Sequence, residues 1–216
     1  MRILKLILCL LLLNSCNKKT KNPILIDKSI ISKIDSIVEI KQYGSHSIGQ
    51  LNFNIRDIKN VNEFYNDKSS DLFSFLKTQR GLNMKFIKSV CNCNLSNDTI
   101  KIIGGQGYTG GVGFFLKIYK DSISGKVSLS TTKKVYSKSK EEKKDLFDNI
   151  NLLTDEIKLT ITKPIEYKLN ETIKGKIYLK TEPFYQKNIK GEIKKVVPSF
   201  DIIFTCKLNK ITYNNI

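Results

Sequence analysis

Apolar and polar residues alternate with period two along most of the chain, which is how a strand with one buried face is written. In 112–119, Val112, Phe114, Leu116 and Ile118 share one side. In 126–132 the set is Val127, Leu129 and Thr131, and in 156–162 it is Ile157, Leu159 and Ile161. In 173–180, Ile173, Ile177 and Leu179 oppose Lys174, Lys176 and Lys180. In 201–208, Ile202, Phe204, Cys206 and Leu208 line up, which places Cys206 on an apolar face. Earlier strands are predicted at 49–55, 82–90 and 98–103. The stretch 120–125, KDSISG, reads as the link of an antiparallel hairpin. Pro164, Pro183 and Pro198 fall at strand ends, where a missing N–H does least harm.

Two segments carry helical spacing instead. Leu72, Phe73 and Leu76, with Gly81 as a stop, predict a helix over 70–80. Ser139 and Glu142 spell a capping box, and Leu146, Phe147, Ile150 and Leu153 then share a helix face, predicting a helix over 140–153. Residues 29–40 fit both periods, and the pattern does not choose between them. The expected fold is mostly β, an antiparallel β-sandwich or open barrel with one to three short helices. Long apolar runs alternating with crossover helices, the mark of a parallel sheet, do not dominate.

The first sixteen residues, MRILKLILCLLLLNSC, follow a different logic. Arg2 and Lys5 precede an unbroken apolar run over 6–13, which is too short to span a bilayer. A basic start, a short apolar middle and a small residue near a cut are the features of a secretory leader. Leu13-Asn14-Ser15-Cys16 resembles the lipobox of bacterial lipoproteins. The resemblance covers the leader only. It implies Leu13 as the upstream apolar anchor, Ser15 as the small residue before the cut, and Cys16 as the acylated residue. Asn14 departs from the small or β-branched residue usual at its position. In leader, composition and strand pattern the chain also resembles small lipoproteins of Bacteroidota-type bacteria. The expected organisation is a signal peptide over 1–15, a lipidated Cys16 with a tether over 16–28, and a single β-rich domain over 29–216. Two or three acyl chains suffice for stable attachment to a membrane. No acidic residue follows Cys16 until Asp27, which favours a periplasm-facing protein over a surface-exported one.

Removing 1–15 leaves 201 of 216 residues and lowers the formal charge from +17 to +15, because the leader holds two basic residues and no acid. The excess is mostly Lys alternating with apolar residues along strands, so it reads as a solvated face. An exported, anchored chain is not expected to meet nucleic acid; an acidic envelope protein is the partner that charge favours.

Three cysteines remain beyond Cys16: Cys91, Cys93 and Cys206. An oxidising compartment pairs thiols, and an odd count permits at most one bridge within the chain. Cys206 joined to Cys91 or Cys93 closes a loop worth about 4–5 kcal/mol by chain entropy. Cys91 with Cys93 would form a small, strained ring. The same three thiols with His46 have ligand types that suit zinc. However, C-x-C is tighter than the usual spacing, and nothing in the sequence brings His46 near.

The stretch GQGYTGGV at 105–112 has the spelling of a nucleotide-covering glycine loop. A dinucleotide site needs a helix after the glycines, whereas GVGFFLKIY alternates as a strand. The acid wanted about 20 residues later is missing, since no Asp or Glu lies between Asp121 and Glu141. A kinase needs a His-Arg-Asp loop and an Asp-Phe-Gly site downstream, and neither exists. The stretch is therefore expected to be a wide hairpin connection, with no cofactor. Gln106, Tyr108 and Thr109 are candidate partner contacts at its tip.

Other chemistry is sparse. His46 is the single histidine, in a polar stretch that reads as a Gly-bounded loop; Ser45 and Ser47 beside it do not make a triad. Glu141 with Glu142, and Asp155 with Glu156, read as surface pairs. No Trp is present for a carbohydrate platform, although Phe184 and Tyr185 could serve a smaller one. The expectation is a membrane-anchored, non-enzymatic β-rich domain that binds another envelope protein or acts as a structural module. The alternatives are an envelope hydrolase using His46 or a Cys, and a metal-binding lipoprotein using Cys91, Cys93 and Cys206.

Overall fold

The structure, a computed structural model, describes residues 24–43, 46–56, 87–107, 111–139, 146–188 and 190–210. The described chain is mostly strand. Its elements are β1 (Ile24–Ile26), a 3-10 turn (Lys28–Ile30) running into α1 (Ile31–Asp35), β2 (Lys41–Tyr43), β3 (His46–Arg56), β4 (Ile87–Ser96), β5 (Thr99–Gly107) and β6 (Gly111–Tyr119). There follow β7 (Ser122–Ser130), β8 (Tyr136–Ser137), β9 (Asn149–Ile161), β10 (Thr172–Thr181), β11 (Phe184–Lys187), β12 (Ile193–Val196) and β13 (Ser199–Lys210).

Backbone pairing passes from β9 through β10, β13, β3, β4, β5, β6 and β7, and β7 pairs again with β9. The circuit closes because β9 is long: Asn149 to Leu153 pair with β7, while the later residues pair with β10. Most ladders are antiparallel. Two are parallel, β1 on β9 and the end of β13 on β4, so the sheet is mixed rather than purely antiparallel. A second, three-stranded sheet, β12-β11-β8, sits where β10 ends and β13 begins.

The inward residues of the circuit are the ones the alternation selects. Val112, Phe114, Leu116 and Ile118 of β6 meet Val127 and Leu129 of β7, Ile157 and Leu159 of β9, and Phe200, Ile202 and Phe204 of β13 in one core. The Phe114 and Phe200 rings meet edge to face at 5.2 Å. Small residues admit the large ones: a Cβ on Gly125 would collide with Leu116 and crowd Ile157.

β13 departs from simple alternation, because Asp201, Ile203 and Thr205 on its second face are buried too. The segment after β1 accounts for part of this. Ile34 of α1 and Val38 pack on Ile203 in a separate apolar cluster outside the main core. The Asn52 amide donates to the Ile37 carbonyl, and Lys174 pairs with Asp35 at 2.5 Å. Residues 28–38 thus strap the outer surface of β10, β13 and β3, which settles the ambiguous 29–40 as a short helix.

Several sequence expectations change. The helix over 140–153 is not formed where the chain is described. Asn149 already begins β9, with Ile150 and Leu152 buried and Leu153 exposed, so period two wins; residues 140–145 lie outside the described residues. The helix over 70–80 also lies outside them. β1 falls inside the stretch read as a tether, at Ile24–Ile26. The KDSISG link is only Lys120 and Asp121, with Ser122 to Gly125 already in β7. The strand expected at 82–90 is described from Ile87 and continues to Ser96.

Candidate functional site

Cys91 and Cys93 both face the core from β4, two residues apart on one side of the strand. Cys93 is bonded to Cys206, with their Cα atoms 5.8 Å apart across a sequence separation of 113 residues. Cys91 keeps its thiol, buried, with Sγ 3.8 Å from the Thr205 carbonyl oxygen. Burial pushes this thiol up to about 12, so it is held protonated at neutral pH and is a poor nucleophile. Of the two bridges left open by the sequence, the structure makes Cys93–Cys206.

His46 does not sit in a loop. It opens β3, and its backbone pairs with Tyr43. The neighbouring Ser47 is buried, and its hydroxyl donates to the Gln42 side chain at 2.9 Å. Among the described residues no group of three or more His, Cys, Asp or Glu is placed to hold a metal ion.

The glycine-rich stretch joins a hairpin, but not by the wide connection expected, because backbone pairing continues through the glycines to Gly107 and Gly111. β5 continues to Gly107 and β6 starts at Gly111, so strand follows the glycines where a phosphate-binding helix would be needed. Gln106 pairs with Val112 through its backbone; Tyr108 and Thr109 lie outside the described residues. Asp155 and Glu156 lie within β9 rather than at its opening, and Glu156 pairs with Lys158 at 2.7 Å.

The described residues form a cleft of about 220 Å³ at the rim where β9 ends and β6 turns into β7. Its walls are Ile24 and Ile26 of β1, Ile161, Pro164, Ile165 and Tyr167 of the following loop, and Lys120 with Asp121 of the tight turn. The Tyr167 hydroxyl donates to the Lys120 carbonyl at 3.1 Å and ties the loop to the turn. Lys120 (φ +51°), Tyr167 (φ +56°) and Asn170 (φ +67°) all adopt left-handed backbone. That region costs a side-chain-bearing residue about 1 kcal/mol, so the surrounding bonds must hold it.

Those bonds are present. The Glu171 carboxylate accepts the Glu166 amide at 3.0 Å and pairs with Lys163 at 3.2 Å. The Asn170 amide donates to the Leu208 carbonyl, and the Leu208 amide to the Glu171 carbonyl, both at 2.8 Å. The Lys168 ammonium bonds Glu166 at 3.0 Å and holds that carboxyl below its ordinary range. Burial first, and then the Asp121 carboxylate, raise the Tyr167 phenol above its ordinary value. The cleft is therefore a preformed, mostly apolar notch with one lysine, one aspartate and one phenol at its edge. At about 220 Å³ it falls below the roughly 300 Å³ at which small-molecule sites begin, and it suits a single inserted apolar side chain.

Sequence reasoning missed this cleft. Its residues come from three separated segments, and the only local hints are the Lys-Asp turn and the mixed Pro, Ile and Tyr content of 162–171.

Among the described residues no helix is long and apolar enough to cross a membrane. Compared with family models, with curated proteins and with solved structures, the chain gives no match.

Proposed function

We propose that this chain is a lipid-anchored protein of the bacterial cell envelope whose β domain works by binding another envelope protein rather than by catalysis. The observation that carries the reading is the filled interior. Among the described residues, Ile, Leu, Val and Phe from seven strands of the circuit, together with Cys91 and Cys93 of β4, pack to near-zero exposure, leaving function to the surface. The Leu13-Asn14-Ser15-Cys16 leader supplies the anchor. A buried Cys93–Cys206 bridge agrees with export to an oxidising compartment.

The thiol-based alternatives lose their chemistry by the same description. A hydrolase built on a thiol would have only Cys91, which is buried and protonated. A metal site built on three thiols keeps only that one.

The partner contact is the rim cleft, which takes an apolar side chain between Ile26 and Tyr167 while Lys120 meets an acidic neighbour. A photo-crosslinking residue at position 26, in the full chain in its own membranes, tests this. The reading expects one adduct of defined mass. No adduct above that of a control placed on the exposed wall at Lys117 sinks it.

A further inference from the structure

We propose that the outward face of the small β12-β11-β8 sheet docks on anionic phospholipid headgroups of the membrane that holds Cys16. The inference rests on the anchored reading above and adds an orientation to it.

Charge is the first observation. Residues 131–139 and 182–197, which contain this sheet and its links, hold seven Lys against two Glu. Both acids are already engaged: Glu182 accepts the Leu153 amide at 3.0 Å, and Glu192 accepts the Asn188 amide at 2.9 Å. Lys134, Lys138, Lys187, Lys190 and Lys195 are exposed, and among the described residues no carboxylate pairs with them. At the rim cleft, by contrast, Lys163 and Lys168 are neutralised by Glu166 and Glu171.

The second observation is placement. Tyr185 stands opposite Lys195 on one side and Ser137 on the other, and Lys187 stands opposite Ile193. One face of β11 and β12 therefore presents Tyr185 and Ile193 with Lys187 and Lys195, the β8 residue on that side, Ser137, being buried, while Phe184, Gln186 and Tyr136 face inward and are buried. A half-buried Tyr among basic residues suits the boundary between headgroups and water. Phe147, bridged through its backbone to Tyr136 and half exposed, adds an apolar side chain at the edge.

The third observation is the direction of the chain. β1 is parallel to β9, with Ile24 opposite Leu159, so the chain enters β1 from the Asn149 end of β9. That end carries the small sheet and Phe147. Ile24 lies eight Cα steps after Cys16, a covalent reach of at most about 28 Å. The end from which the chain enters β1 is therefore also the end that carries the unpaired positive charge.

The test uses the full acylated chain reconstituted into vesicles containing phosphatidylglycerol, with a fluorophore on Tyr185→Cys or on Leu169→Cys and a quencher on lipid headgroups. Buried Cys91 and bridged Cys93 and Cys206 leave the introduced thiol to react. The inference expects strong quenching at position 185 and weak quenching at 169. Vesicles of phosphatidylcholine alone, or 1 M salt where screening falls to about 3 Å, should remove the difference. Each lysine at an anionic surface contributes about fivefold to the preference. Lys187→Glu with Lys190→Glu and Lys195→Glu, all exposed positions, should therefore bring the two labels to parity.

Equal or stronger quenching at 169 overturns the inference, as does a preference for 185 that persists on neutral lipid. The mass of the Cys16 peptide separates the two claims. An acylated peptide with the wrong orientation overturns only the docking face, whereas an unmodified Cys16 removes the anchor and the inference together.

Discussion

Gly49 lies so close to Cys206 that a Cβ built on it would stand 2.6 Å from the Cys206 Cβ, with the Thr205 carbonyl oxygen nearer still. Gly49 also pairs across the sheet with Cys91. The missing side chain is what admits two cysteines, one on each neighbouring strand, to the same patch of core. Gly49→Ala should therefore destabilise the fold by about 3 kcal/mol, the upper end of the range for overpacking, because backbone rather than a flexible side chain is in the way. Urea unfolding of the variant beside the parent measures this, and an unchanged midpoint would contradict the packing described.

The bridge next to Gly49 closes a separation of 113 residues, worth about 4–5 kcal/mol if it acts through chain entropy. Reduction, or Cys93→Ser, should lower the melting temperature by about 10 °C or more in a domain of this size. Alkylation followed by mass analysis is the direct check. Cys91 should react only after denaturation, and Cys93 and Cys206 only after reduction as well.

How far the sequence alone leads can be judged from β9 and β13. Ile157, Leu159 and Ile161 announced a strand by alternation, and they are buried as expected. A few residues earlier, Leu146, Phe147, Ile150 and Leu153 also satisfied helical spacing, and the two periods disagree at Phe147, Leu152 and Leu153. The fold buries Leu152 and leaves Leu153 64 % exposed, because Asn149 to Leu153 must pair with β7 to close the circuit. That pairing is non-local and leaves no mark in a window of ten residues. In β13 the alternation of Ile202, Phe204, Cys206 and Leu208 marked only one buried face, because the strap that covers Ile203 on the other comes from residues 28–38, far away in sequence. The rim cleft was illegible for the same reason, since chain crossing rather than composition brings Tyr167 to Lys120.

The turn at Lys120 carries a removable cost. Its φ of +51° is left-handed, where glycine has no Cβ to clash, and its contact with Tyr167 uses only the backbone carbonyl. Lys120→Gly should raise stability by up to about 1 kcal/mol in thermal unfolding while keeping the cleft. Tyr167→Phe, which removes the hydroxyl that donates to that carbonyl, should cost about 1 kcal/mol. If the cleft is the partner contact, Lys120→Gly should weaken capture of an acidic partner even though the protein is more stable. Stability and binding would then move in opposite directions, an outcome that general loss of fold cannot mimic.

Burial of Cys91 makes stability depend on alkaline pH, and the sign follows from linkage. The thiol ionises near 9.0 in the ordinary case and near 12 in the fold, so between these values the unfolded chain has lost a proton that the folded chain keeps. Stability contributed by the protonated thiol is whole below about pH 9 and declines as pH rises towards 12, at about 1.4 kcal/mol per unit while the difference lasts. Tyr136, buried against Phe184 with ring centroids 5.7 Å apart, is shifted in the same direction by the same cause, and its share begins one unit higher, near its ordinary value of 10.0. Urea midpoints from pH 7 to 11 should therefore stay flat and then bend downward above pH 9. Cys91→Ala costs stability at every pH through the cavity it leaves, so the informative quantity is slope, not level. The variant should remain flat to about pH 10 and then show only the bend that belongs to the raised phenols of Tyr136 and Tyr167. An identical bend in parent and variant would mean that Cys91 is open to solvent and hydroxide, and would reopen the thiol chemistry that its burial closes.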